Sequence, residues 1–243
     1  FVSYPGPRKW TAAMKMYRAA CRQGNLDACE IWPKVLGRRE GHFLGGWDVK
    51  NDAEKGCRGG KAESCLWHGL AMFGFVNEYG SRGERVKNWL TLACQKNIPV
   101  ACALVAEIHL MGFKTPKNPQ QAERLYLQAC RAGVPAACTR WGRWLISGKN
   151  PHPKPQKARL MFAQACAGTG MLPSLNVRLR DPKACVELAR MLLQGRGGSK
   201  DIKKALRLAQ SACRQECASG CLLLAESKCR SGDAHACVEA GRR

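Results

Sequence analysis

The sequence predicts an all-α fold, a right-handed solenoid of about six to seven stacked helical hairpins. Three observations predict it. The first is a period. Cys21, Cys57, Cys94, Cys130 and Cys166 follow one another at intervals of 36, 37, 36 and 36 residues, and Cys213 comes 47 further on. A repeat in the mid-thirties is the mark of helix pairs stacked along a line. The second is a partner eight residues on: Cys29, Cys65, Cys102 and Cys138 follow the first four, Cys221 follows Cys213, and Cys237 follows Cys229. Cys166 and Cys185 are 19 apart, which is eight plus an 11-residue insertion around Met171–Arg180, and that insertion accounts for the excess of 47 over 36. The third is a pattern of small residues. Ala13, Val86, Ala122, Ala158 and Ala205 stand eight before a first cysteine, and Ala20, Ala93, Ala129, Ala165 and Ala212 stand one before it. Tyr17, Leu90, Tyr126 and Phe162 stand four before, so each such helix is amphipathic and packs through small residues around one bulky side chain.

Eight residues of straight helix rise about 12 Å. Bridged cysteines need Cα atoms within about 7 Å, so if the pairs are bonded the chain turns between them. The residues between them suit a turn. Gly24, Gly60, Gly133 and Gly232, with Asn97 in one copy, stand third after the first cysteine. Glycine and asparagine accept the left-handed conformation that ends a helix. Pro99 and Pro135 follow two residues later, where a new helix starts well.

In chain order, residues 1–8 read as an extended lead-in with two prolines, and 9–243 as a single repeat array. Lys9–Cys21 and Ala28–Leu36 are helices, the second interrupted at Trp32-Pro33. Gly37–Asp48 is an irregular loop holding Trp47. Val49–Cys57, Glu63–Phe73, Glu84–Cys94, Pro99–Met111, Gln120–Cys130, Pro135–Ile146 and Gln156–Cys166 follow as helices, with proline-bearing loops at Lys114–Pro119 and Ser147–Pro155. After an insertion near 168–181 come Pro182–Gln194, Ile202–Cys213, Gly220–Ser227 and Ala234–Gly241. The unit near 221–229 is clipped: it lacks the long loop and second helix of the others. No segment reads as a strand.

The run Ala-Cys-x3-Ala-x3-Leu-x-Gly at Ala101–Gly112, a basic loop, then Ala-x6-Ala-Cys at Ala122–Cys130, resembles the Sel1-like repeats, relatives of the TPR hairpin. The Cys-x7-Cys corner is similar to the cysteine-rich branch of that family, which includes the Helicobacter cysteine-rich proteins and a mitochondrial respiratory-chain assembly factor. The resemblance covers about residues 9–240. It implies a protein-interaction role and says little about the partner.

We read Cys21–Cys29, Cys57–Cys65, Cys94–Cys102, Cys130–Cys138, Cys166–Cys185, Cys213–Cys221 and Cys229–Cys237 as disulfides at the hairpin corners, with Cys217 left as a free thiol. Cross-links of this kind belong to an oxidising compartment. Two alternatives stay open from sequence. Small buried thiols pack well at an alanine-rich crossing, and zinc is disfavoured because each corner offers only two ligands without C-x2-C spacing.

Gly195-Arg-Gly-Gly-Ser-Lys200 lacks P-loop spacing and follows a helix. No S-x-x-K and no C-x-x-C-H occurs, and His42, His68, His109, His152 and His235 are scattered through different repeats, His68 and His109 on apolar helices. No enzyme activity, metal or cofactor is expected. No run of about eighteen apolar residues exists, so no membrane span is expected. Phe1 begins the sequence with no signal-peptide pattern after it.

The charge is what bears on function. Forty Lys and Arg against 18 Asp and Glu give +22 in 243 residues, a field that draws in acidic proteins or nucleic acid. Two basic groups are the candidate partner contacts. Trp141 and Trp144 flank Arg143, with Arg140 just before them, in a position to stack on a partner. Lys203, Lys204, Arg207 and Arg214 share one stripe of a helix.

The expected function is therefore a non-enzymatic scaffold, a subunit or assembly factor of a larger complex, bound to protein subunits with acidic surfaces. By the resemblance, the respiratory chain and the mitochondrial intermembrane space are the first setting, with the periplasm or secretion as the alternative. A basic RNA-associated component such as a mitochondrial ribosomal subunit is the second reading; it expects reduced cysteines. A secreted protein of the Helicobacter kind with weak β-lactamase activity is the third.

Overall fold

The computed structural model describes residues 7–37, 52–74, 83–112, 115–168, 170–172, 177–230 and 232–241. The loop expected at Gly37–Asp48 with Trp47, the Arg38-Arg39 pair and most of the lead-in lie outside the described residues. Contacts gather into two compact units, Phe1–Val134 and Pro135–Arg243.

The first unit holds α1 (Pro7–Arg22), α2 (Leu26–Gly37), α3 (52–58), α4 (Ala62–Gly74), α5 (Gly83–Gln95), α6 (Pro99–Met111) and α7 (Pro119–Arg131). The second holds α8 (Pro135–Leu145), α9 (Pro155–Ala167), a short hairpin of β1 (Gly170–Leu172) and β2 (Val177–Leu179), α10 (Pro182–Gln194), α11 (Ile202–Arg214), α12 (Ala218–Arg230) and α13 (Ala234–Gly241). The class is the all-α hairpin solenoid that the period predicts. Within each unit neighbours in sequence pack as neighbours in space: α4 on α5, α5 on α6 and α6 on α7, then α8 on α9, α9 on α10 and α10 on α11.

Every corner but Cys166–Cys185 has the same construction. At the α5–α6 corner, Asn97 adopts φ 62°. Its N–H donates to the Cys94 carbonyl and the Ile98 N–H donates to the Ala93 carbonyl, which closes the helix end. Pro99 then opens α6. Gly24, Gly60, Gly133 and Gly232 do the same at φ 89–100°. The turn brings Cα atoms of Cys21–Cys29, Cys57–Cys65, Cys94–Cys102, Cys213–Cys221 and Cys229–Cys237 to 4.6–4.8 Å; Cys166 and Cys185 stand 4.8 Å apart at the two ends of the insertion, and all six pairs are disulfides. Cys130 and Cys138 are disulfide-bonded as well.

One corner breaks the residue rule. Glu216 occupies the left-handed position at φ 58°, a conformation that costs a residue with a Cβ about 1–2 kcal/mol. Replacing Glu216 by glycine is expected to raise stability by about 0.5–1 kcal/mol, read as a higher denaturant midpoint under non-reducing conditions.

The alanine pattern forms the core. Ala93, Ala122, Ala129, Ala158, Ala165, Ala205 and Ala212 have no exposed surface, and Leu90, Tyr126 and Phe162 sit buried between them. A complementary rule was not read from the sequence. The fourth residue after Cys65, Cys102, Cys138, Cys185 and Cys221 is Gly or Ala, and at Gly69 and Gly142 the bulky residue of the next helix presses on it. A Cβ on Gly69 would lie 2.8 Å from the Leu90 side chain, and one on Gly142 would lie 2.8 Å from the Phe162 ring.

Two expectations are corrected, and the clipped unit near 221–229 takes a definite form. The insertion is not strand-free: β1 and β2 pair antiparallel, Gly170 with Leu179 and Leu172 with Val177. The physical reason is that Cys166 and Cys185 hold its two ends together, and a hairpin satisfies its own backbone groups. Pro33 does not interrupt α2, which runs through it to Gly37; a proline removes one internal hydrogen bond and need not end a helix that packs on neighbours. The segment between Cys221 and Cys229 is one helix, α12, which serves as the second helix of one corner and the first of the next. Helix bounds otherwise differ from expectation by at most three residues, and Pro99–Met111, Pro182–Gln194 and Ala234–Gly241 coincide with it.

Candidate interaction surface

The two basic groups expected to meet a partner fare differently. On α8, Trp141 is 1% exposed and its ring stacks on Trp144 at 4.8 Å, 12° from parallel. It belongs to the core and is not available to a partner, which corrects that expectation. Trp141 is the third residue after Cys138, and the residues in register with it, His68, Val105 and Leu188, are buried too. That register was the signal. Trp144 and Arg140 are half-buried. Arg143 donates from Nε to Glu187 Oε1 at 3.0 Å, so it ties α8 to α10.

On α11 the basic side chains point outward. Lys203, Lys204, Arg207 and Arg214 are all exposed, while Ala205, Ala209 and Ala212 face inward. Asp201 is spent on the helix end: its carboxylate accepts the Lys204 backbone N–H at 2.8 Å. The outward positions of this helix recur. Arg207 and Arg214 stand six before and one after Cys213; Arg124 and Arg131 hold these places on α7, and Lys15 and Arg22 on α1. These four are also exposed, although Arg22 pairs with Glu63 at 2.6 Å. On α1, α7 and α11 the first helix of the hairpin therefore turns basic residues outward at the same register, whereas α5 has Asn88 and Gln95 there and α9 has Leu160 and Ala167.

Other side chains are occupied by packing. Trp67 is buried under the Arg18 guanidinium, 4.6 Å from its ring centre, with Arg22 at 5.8 Å. His68 meets Trp89 edge to face at 4.8 Å. In the first unit Glu30, Leu70, Leu90, Leu104, Glu107 and Met111 line a cavity of about 210 Å³, and Tyr126 donates its hydroxyl to Glu107. That volume is below the usual range of small-molecule sites, about 300–1,000 Å³. Among the described residues no three His, Cys, Asp or Glu side chains are grouped to hold a metal, and no helix is long and apolar enough to cross a membrane. Cys217 is the free cysteine; it is half-buried with Sγ 3.3 Å from Ser219 Oγ.

His109 carries a pH dependence. Burial, then the charge of Lys87, lowers its pKa from 6.5. Its folded pKa lies below the unfolded one, so its contribution to stability is present above pH 6.5 and is lost as pH falls through the folded value. Thermal melts from about pH 7.5 to about pH 5 are expected to show a falling midpoint, with a shallower fall in His109→Gln.

Repeated hairpins with small-residue crossings and an outward basic register define a class, the interaction solenoids. The chain belongs to the Sel1 repeat family: the Sel1 repeat profile matches residues 11–25, 99–134, 135–169 and 182–217, together half of the chain. Such repeats are in general protein–protein interaction modules and typically non-catalytic. Two solved structures are similar. A Sel1 repeat protein from Oxalobacter formigenes is 17% identical with a TM-score of 0.59, over 90% of this chain and 88% of that one. The protective antigen c5321 of uropathogenic Escherichia coli, with an SLR fold, is 16% identical with a TM-score of 0.50, over 89% of this chain and 44% of that one. At these identities the likeness concerns the fold. Among curated proteins none matches the chain by sequence. The disulfides at its corners suit an oxidising, non-cytosolic environment.

Proposed function

We propose that the chain is a non-catalytic scaffold that holds an acidic protein partner within a larger complex, as a subunit or assembly factor, in an oxidising space such as the mitochondrial intermembrane space. By likeness to the cysteine-rich branch of its family, a respiratory-chain complex is the first candidate setting. The observation that carries the reading is α11. It turns Lys203, Lys204, Arg207 and Arg214 to solvent, and Asp201, the carboxylate at its start, caps the helix. Disulfide-bonded corners support the reading by fixing the hairpins that present those charges. The RNA-associated reading shares the charge but expects reduced cysteines.

Zero-length carboxyl-to-amine cross-linking of the native complex, followed by peptide mass spectrometry, tests the proposal. Partner Asp or Glu residues joined to Lys203 or Lys204 are expected. Cross-links that avoid α11, or a protein recovered from its source only with RNA attached, contradict it.

A further inference from the structure

Two basic stretches of the second unit lie far apart in sequence. Residues 147–160 carry Lys149, Lys154, Lys157 and Arg159 with no Asp or Glu. Residues 195–208 carry Arg196, Lys200, Lys203, Lys204 and Arg207 with one carboxylate, Asp201. The fold docks one loop on the other. Gly197, at φ 74°, lies so close to α9 that a Cβ there would be 2.5 Å from the Pro155 carbonyl oxygen. Arg159 reaches across with Nη1 donating to the Ser199 carbonyl at 3.0 Å. Arg196 reaches back with Nη2 donating to the Ile146 carbonyl at 3.2 Å. Two guanidiniums thus act as ties between the loops and the helices behind them. Lys149, Lys154, Lys200, Lys203 and Lys204 are left exposed along the same edge.

From this juxtaposition we infer that the edge formed by the α8–α9 loop and the α10–α11 loop is the docking site for an acidic polypeptide segment, a run of Asp and Glu. The inference rests on the proposed scaffold role and locates the contact. Like charges gathered on separate loops repel one another over the screening distance, about 10 Å at 0.1 M salt. A polyanion laid along the edge relieves that repulsion and releases counterions. Asp201 is already engaged at the start of α11. A protein occupant is favoured over single-stranded nucleic acid by composition. Neither stretch contains Phe, Tyr or Trp, and stacking on such side chains is how unpaired bases are held.

The test uses a fluorescein-labelled Glu-rich decapeptide and anisotropy titrations of the oxidised full chain at fixed salt. Wild type is expected to bind, and Lys154→Glu with Lys200→Glu is expected to bind at least about tenfold more weakly. Lys55→Glu with Arg85→Glu, which changes net charge equally on exposed first-unit positions, is expected to weaken binding by less than about threefold. Gly197→Ala keeps every charge but pushes the loop off Pro155, and is expected to weaken binding as well. If both charge-reversal pairs weaken binding equally, the edge is not the site and the whole field attracts the peptide. If wild type ignores the peptide, the acidic-partner reading itself fails. If single-stranded RNA of equal charge binds more tightly and is lost in the Lys154/Lys200 variant, the edge is a nucleic-acid site and the inference is overturned.

Discussion

Reduction with dithiothreitol in native buffer is expected to unfold the protein, with most of the helical circular dichroism signal lost. Each corner closes a loop of about eight residues, and on a chain-entropy argument such a cross-link contributes about 2–3 kcal/mol. The Cys166–Cys185 bridge closes a longer loop, its ends 19 positions apart in sequence, and contributes somewhat more. Removing seven of them exceeds the whole net stability of an ordinary domain, about 5–15 kcal/mol. Packing does not compensate, because the helix crossings are made largely of alanine, which buries little apolar area per residue. Alkylation without reduction should leave the spectrum unchanged. A reduced protein that keeps its helical signal and a cooperative melt would mean that the alanine core suffices without its cross-links.

Trp141→Ala is expected to cost about 3–5 kcal/mol and to leave partner binding intact wherever the protein remains folded. The ring is buried against Trp144 and belongs to the row of the repeat that faces inward. Truncating it opens a cavity and strands one face of the Trp144 ring. Trp144→Ala, at a half-buried position, should cost less, about 1–2 kcal/mol. Guanidinium denaturation under non-reducing conditions measures both. If Trp141 were a partner contact, its removal would spare stability and abolish binding, the reverse of what its burial predicts.

The architecture was legible because its determinants are local and periodic. A cysteine, a residue tolerant of positive φ three places on, and small residues one and eight places before set most corners and crossings within a single repeat. What escaped the sequence is what depends on packing between repeats. Glu216 gives no sign of a left-handed turn; only its register with Gly24 and Asn97 does. Gly142 looks like a flaw inside a helix until Phe162 is found against it. Trp141 between two arginines looks like a docking group, and its buried row shows only when repeats are aligned. The β1–β2 hairpin is too short for alternation to announce it. The meeting of the 147–160 and 195–208 stretches is a contact between loops some forty residues apart, fixed by Gly197 and Arg159, and no charge count along the chain reveals it.

Mass spectrometry of the protein isolated from its source, alkylated before and after reduction, tests the central claim most directly. Oxidised hairpin corners predict that Cys217 alone is modified before reduction and all fifteen cysteines after it. The bridged pairs should map as Cys21–Cys29 through Cys229–Cys237. Fifteen cysteines modified before reduction would contradict the account, move the protein to a reducing compartment, and leave the RNA-associated reading as the better use of its charge.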